Sequence, residues 1–127
     1  MIATVRATLA ARMATWTTTP IVWPNTPPLT ASNVPWVRFT AIAFARIWPT
    51  TPAGTKRVMD GEVIVQCFVP SGSGDGVAAT LADAIGTLFN KYAADGVQCH
   101  EPKAPVVVGD VGGWYQINAI IPWRAEL

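Results

Sequence analysis

The sequence predicts an α+β fold, a single domain whose mostly antiparallel sheet contains a long hairpin and carries two helices packed on one face. Three observations predict it. Two segments place apolar residues at spacings of three and four, two long segments between them alternate in character, and clusters of Pro and Gly punctuate the boundaries. At 127 residues the chain has the length for one hydrophobic core, so residues 1–127 are expected to form one domain.

The first helix is read from Ile2, Val5, Leu9, Met13 and Trp16, with Ala-rich filling between them. It is expected to stop at Thr17-Thr18-Thr19-Pro20, where β-branched residues and a proline disfavour another turn. Pro20 to Pro35 is too rich in proline for regular structure and reads as an extended crossing pinned by Ile21, Val22, Trp23 and Leu29. Trp36 to Trp48 then alternates, with Trp36, Arg38, Thr40, Ile42, Phe44 and Arg46 on one face and Val37, Phe39, Ala41, Ala43 and Ile47 on the other. A turn from Pro49 to Thr55 leads to a second alternating run, Arg57 to Val69, whose Val63, Val65, Cys67 and Val69 share a face.

Pro70 to Gly76 reads as a flexible connector with Asp75 as helix cap. Val77, Leu81, Ile85, Leu88 and Tyr92 predict the second helix over Gly76 to Tyr92, closed by Asp95-Gly96. A short strand at Val97 to His100, an extended piece at Pro102 to Val108, a turn at Gly109 to Gly113 and a last strand at Trp114 to Trp123 complete the chain.

Half of the residues are hydrophobic and only 13% are charged, against about 25% in ordinary soluble domains. A folded monomer of this mass exposes roughly 6,500 Å², which leaves its surface poor in charge. Such a surface points to an oligomer or a larger assembly, and the same composition excludes intrinsic disorder. The net charge is +1, with no basic cluster beyond Lys56 and Arg57, so tight nucleic-acid binding by one copy is not expected. The distribution is uneven: residues 1–59 carry Arg6, Arg12, Arg38, Arg46, Lys56 and Arg57 and no acid, whereas the remainder carries three bases and all eight acids. Either the halves interleave and the signs mix, or opposite signs lie on different faces and favour head-to-tail packing of copies.

Cys67 and Cys99 have neither zinc nor redox spacing and are expected to be buried thiols. No signal peptide is expected, and the longest charge-free run, Met13 to Val37, contains five prolines and does not make a membrane helix. Candidate chemistry is sparse. Cys99, His100 and Glu101 are adjacent, but neighbours on a strand face opposite ways, so Cys99 and His100 do not share one ion. Asp60 and Glu62 are the nearest same-face carboxylates and are expected on a solvated strand edge. Gly72, Gly74 and Gly76 precede a helix, yet the Lys-Ser/Thr of a phosphate loop is missing and Asp75 stands where the phosphate would. No catalytic residue, metal or cofactor is expected, and the protein is not read as an enzyme. The six tryptophans, Trp16, Trp23, Trp36, Trp48, Trp114 and Trp123, read as plugs at the ends of the core or as anchors of subunit contacts.

The ordered set of motifs resembles the tail terminator, or tail completion, proteins of long-tailed bacteriophages over nearly the whole chain. The residues that carry the resemblance are Ile21-Val22-Trp23-Pro24-Asn25, Pro35 to Phe39, Gly61 to Pro70 with Gly72-Ser73-Gly74, Ala82 to Ile85, Gly112 to Gln116 and Ile121 to Ala125. The resemblance implies a structural virion protein of the tail's head-proximal end, assembled in the host cytoplasm as a ring, commonly a hexamer. Such a ring ends growth of the tail tube, meets the tail tube protein and the head–tail connector proteins, and lets the genome DNA pass through its lumen. On that reading the interface candidates are Trp23, Pro24, Trp48, Lys56, Arg57, Pro70, Ser73, Asp75, Trp114, Trp123 and Arg124, with Lys56 and Arg57 also candidates to face DNA in the channel. Another neck or tail component, a connector or tube subunit, is the alternative, as is a monomeric α+β module that holds a small apolar ligand among the tryptophans.

Overall fold

The computed structural model describes residues 2–26, 34–47 and 58–126. Helix α1 spans Ile2–Met13 and buries Val5, Leu9 and Met13. Its end is fixed by Trp16, whose N–H donates to the Met13 carbonyl at 2.9 Å while its indole Nε1 donates to Thr19 Oγ1 at 2.9 Å. The extended crossing that follows contains a two-residue strand, β1 (Ile21–Val22), which pairs in parallel with Val37 and Arg38 of β2 (Trp36–Ile47).

Strands β2 and β3 (Val58–Pro70) form the expected antiparallel hairpin, with Trp36 opposite Phe68 and Ala41 opposite Val63. A bulge between Ala43 and Ala45 breaks the alternation expected along β2, and Ala43 and Phe44 are both exposed. The hairpin tip, residues 48–57, lies outside the described residues.

Helix α2 spans Asp75–Phe89. The cap expected at Asp75 is instead Gly74, at φ 83, and Asp75 is the first helical residue. Its carboxylate makes no capping hydrogen bond and acts on the positive end of the helix through charge alone. The helix closes at Asn90, earlier than expected, and Asp95-Gly96 has another task. With φ of 51 and 79 the two residues make the turn between strands β4 (Ala93–Ala94) and β5 (Val97–Cys99), the left-handed pair that a two-residue hairpin demands.

Strands β6 (Val106–Val111) and β7 (Trp114–Glu126) form a second two-residue hairpin around Gly112-Gly113, at φ 54 and 86. The broad turn expected from Gly109 is therefore confined to two residues, and Gly109 sits at a bulge in β6 with φ 95. β5 and β6 lie on the same side of β7. Between them the His100 N–H donates to the Pro122 carbonyl at 2.8 Å and the Lys103 N–H to the Ile120 carbonyl at 2.9 Å. Residues 97–111 thus run along β7 as one strand interrupted by Pro102 and Pro105.

The sheet order is β1-β2-β3-β7-β5-β4, with β6 also on β7. Its buried face is continuous. Val37, Phe39 and Ala41 of β2 lie level with Cys67, Val65 and Val63 of β3, and these with Ile117, Ala119 and Ile121 of β7. Onto this face α1 places Leu9 and Met13, and α2 places Leu81, Ile85 and Phe89, so both helices share one side of the sheet and one core. Arg12 joins them: its Nε donates to the Leu88 carbonyl at 2.8 Å, and its guanidinium lies 4.7 Å from the Tyr92 ring centre. A cation at the carbonyl end of α2 also complements the helix dipole.

Candidate functional site

The residues weighed for chemistry do not converge. Cys99 is buried on β5 while His100 is exposed, and burial pushes the Cys99 thiol up to about 11 against an opposing effect of Arg12. Burial likewise holds the Cys67 thiol at about 12, so both are free thiols with little thiolate character at neutral pH. Asp60 and Glu62 are not on a strand edge, because β3 lies between β2 and β7. Each carboxylate is taken by a base from the neighbouring segment: Asp60 accepts from Arg124 Nε at 2.8 Å, and Glu62, 8% exposed, accepts from Lys103 Nζ. The first pair, led by its hydrogen bond, raises the Arg124 pKa further. Among the described residues no group of three His, Cys, Asp or Glu side chains is placed to hold a metal ion, and no helix is long and apolar enough to cross a membrane.

The connector keeps its glycines for geometry. Gly72 and Gly74 sit at φ 89 and 83, the Ser73 N–H donates to the Pro70 carbonyl at 3.2 Å, and Ser71 reaches across to the second hairpin. Its N–H donates to the Gly113 carbonyl at 3.0 Å and its Oγ to Asp110 Oδ1 at 3.0 Å. Pro70 pairs with Trp114, so Pro70, Ser73, Asp75 and Trp114 gather at one end of the sheet.

On the sheet face away from the helices, Trp36 stacks on Phe68 with ring centres 4.2 Å apart, and Trp114 meets Trp36 edge-on at 5.9 Å. Arg38 lies over both stacked rings, 5.4 Å from Trp36 and 5.8 Å from Phe68. Trp23 lies by the other face of β2, edge-on to Phe39 at 5.6 Å, with Pro24 exposed beside it. Trp123 is 1% exposed and belongs to the core, so it is unavailable as a contact residue in the folded subunit. Trp16 is also buried. Trp48, Lys56 and Arg57 lie outside the described residues. The sequence-derived candidates therefore fall into two groups, Trp23 with Pro24 by the helix-side face of β2 and Pro70 to Asp75 with Trp114 at the end of β3 and β7, while Arg124 is engaged with Asp60.

Residue-by-residue reading of the sequence missed the valines of β6. Val106, Val107, Val108 and Val111 are 48%, 60%, 47% and 49% exposed, a density of bare apolar side chains matched by no other described element. The signal is the run Val106-Val107-Val108, whose local pattern marks an extended piece and carries no mark of what covers it. At the other edge of the sheet, a groove of about 300 Å³ opens between α1 and β2, walled by Ala7, Ala10, Trp23, Pro24, Phe39 and Ala41, with Arg6 at its rim.

A family model described as "Phage tail terminator protein" matches residues 4–123. Among solved structures, one shares the fold with a TM-score of 0.69 at 19% identity, over 97% of this chain and 94% of that chain. Comparison with curated proteins finds no match.

Proposed function

The chain belongs to the phage tail terminator family, and from that premise we propose that it forms a closed ring, a hexamer, at the head-proximal end of the tail tube. Membership makes it a structural component of the phage tail. The proposed ring stops further addition of tube protein and offers its other face to the head–tail connector proteins, with the genome passing through its lumen without base-specific contacts. The single observation that carries this reading is the extent of the family match, which runs from α1 into β7 and takes in both helices.

The chemistry of the surface supports it. A chain with 13% charged residues and a bare apolar strand is suited to burying part of its surface against other copies. The first-half and second-half charges, +6 and −5, supply the two unlike patches that head-to-tail closure requires. In this reading the loop from Pro70 to Asp75 and the tip from Pro49 to Arg57 meet neighbouring subunits or the tube. Lys56 and Arg57, repeated around the ring, line the channel with positive charge.

Light scattering over a concentration series, followed by negative-stain imaging with purified tail tubes, tests the proposal. The expected result is a single closed species of about six copies, or a cap on one end of each tube. Open cylinders would identify a tube subunit instead, and a monomer that ignores tubes would overturn the assignment of a ring. For the channel, Lys56→Glu with Arg57→Glu is expected to leave assembly intact and impair DNA passage; unaltered passage removes the channel role.

A further inference from the structure

Sheet edges are ordinarily guarded by charge, proline or brevity, because unpaired N–H and C=O groups invite another strand. Here β1 and β4, two residues each, guard two corners of the sheet, and Pro102 and Pro105 guard the approach to β6. Among the described residues, two stretches are guarded only in part. β6 pairs with β7 on one side and, among the described residues, with nothing on the other. It contains no Lys, Arg or Pro, its one charge, Asp110, accepts from Ser71 Oγ, and it carries the four exposed valines. Among the described residues, β2 is covered on its outer side only by β1, at Val37 and Arg38. Beyond these, as far as the bulge, it reads Phe39-Thr40-Ala41-Ile42-Ala43-Phe44 without a charge, with Phe44 at 61% exposure, and Arg46 follows only past the bulge.

We propose that β6 of one copy adds to the outer edge of β2 in a second copy of this chain and seats Val107 in the groove beside it. This rests on the ring reading above and names its interface. Three observations select this occupant. The first is strand direction: β2, β3, β7 and β6 are successively antiparallel, so a second copy in the same orientation presents its β2 antiparallel to β6. Identical copies then extend one sheet through the more stable ladder without reversing any of them.

The second is facing. Val107 pairs with Ile117, a buried-face residue of β7, so a continued sheet puts Val107 on the helix side, next to Phe39 and Ala41 of the neighbour. That is where the groove between α1 and the Trp23–Pro24 corner opens. Val107, at 60%, is also the most exposed valine of β6. The third is charge. The groove and the β2 edge belong to the half of the chain with only bases, with Arg6 at the groove's rim, whereas β6 belongs to the acidic half and carries Asp110.

Two variants test each side of the contact at exposed positions: Val107→Lys and Ala7→Trp, which fills the groove from α1. Each is expected to keep the wild-type melting temperature and to fall in light scattering to the single-chain mass of 13.6 kDa. Mixed, they are expected to stop at twice that mass, because the Ala7→Trp copy retains Val107 and the Val107→Lys copy retains an open groove. Variants that assemble like the wild type, or a mixture that stays single, overturn the proposed interface while the ring stands. A wild type that is monomeric at every concentration and on tubes overturns the ring and this interface with it.

Should either variant fail to fold, Thr40→Cys with Val106→Cys gives a second reading, since these residues lie on opposite edges and the same face. A short bismaleimide is expected to link the double variant into a ladder and neither single variant. Dimers from Val106→Cys alone would show a two-fold β6–β6 contact and overturn the proposal.

Discussion

Gly61 and Trp123 face each other across the β3–β7 pair, and the indole fills the space that a side chain at position 61 would need. A Cβ there would overlap Trp123 Cζ2 and the carbonyl oxygen of Ile42, which closes the gap from the β2 side. The glycine is thus selected by its missing atom, not by its backbone angles. Its partner gains a fully buried ring against the main chain, the largest of the buried side chains.

Gly61→Ala is therefore expected to destabilise the subunit by about 1–3 kcal/mol, the usual cost of overpacking. Urea denaturation reads it. In a Trp123→Phe background the smaller ring yields, and the same change is expected to cost less; equal costs in both backgrounds would place the obstruction at the Ile42 carbonyl instead.

Much of this architecture was legible beforehand, and the exceptions share a cause. Both helices and the long hairpin announce themselves through periodicity, because one-sided burial against the same sheet leaves a repeating mark at Val5, Leu9 and Met13 and at Val63, Val65 and Cys67. Asp95-Gly96 was read as a helix stop because a left-handed pair serves a helix end and a two-residue hairpin equally, and only the pairing of Ala94 with Val97 decides between them. The parallel contact of Ile21 with Val37 and the shared use of β7 by β5 and β6 depend on tertiary placement, which leaves no local pattern. For the same reason the bare valines of β6 escaped notice: exposure is a property of neighbours that fail to arrive.

Ile85→Ala removes a side chain with no exposure beneath α2 and is expected to cost about 2–5 kcal/mol, whereas Val77→Ala, on the same helix but 45% exposed, is expected to stay within about 0.5 kcal/mol. Parallel thermal melts compare them. Equal losses would contradict the assignment of the inward face of α2.

Arg12 ties the end of α2 to α1 through a directed hydrogen bond and a ring contact. Arg12→Ala is expected to lower stability by about 1–3 kcal/mol, and Arg12→Lys to recover only part of it, since an ammonium keeps the charge and loses the planar fit over Tyr92. Full recovery by lysine would reduce the interaction to charge at the helix end.

The two thiols set a base-sensitive limit. Both are held well above the ordinary value of 9.0, Cys99 at about 11 and Cys67 at about 12. Above pH 9 the unfolded chain releases these protons while the folded chain keeps them, so the unfolded state binds fewer protons and stability falls as pH rises. The fall is expected to begin near pH 9 and to be shallower in Cys67→Val than in the wild type, read from urea midpoints at pH 8 to 10.5. At pH 8 a thiol reagent such as Ellman's is expected to react with neither cysteine until the protein unfolds.

The position of β7 governs when the sheet of this protein can be completed. The strand that pairs with β3, β5 and β6 is the last element of the sheet to be synthesised, so a nascent chain carries its hairpin and both helices with the central seat of the sheet still empty. A chain without β7 lacks Ile117, Ala119, Ile121 and Trp123 from its core. Completion of the sheet waits for β7, proceeds through contacts far apart in sequence, and is expected to be correspondingly slow. A product that stops before β7 is accordingly expected not to reach the subunit fold.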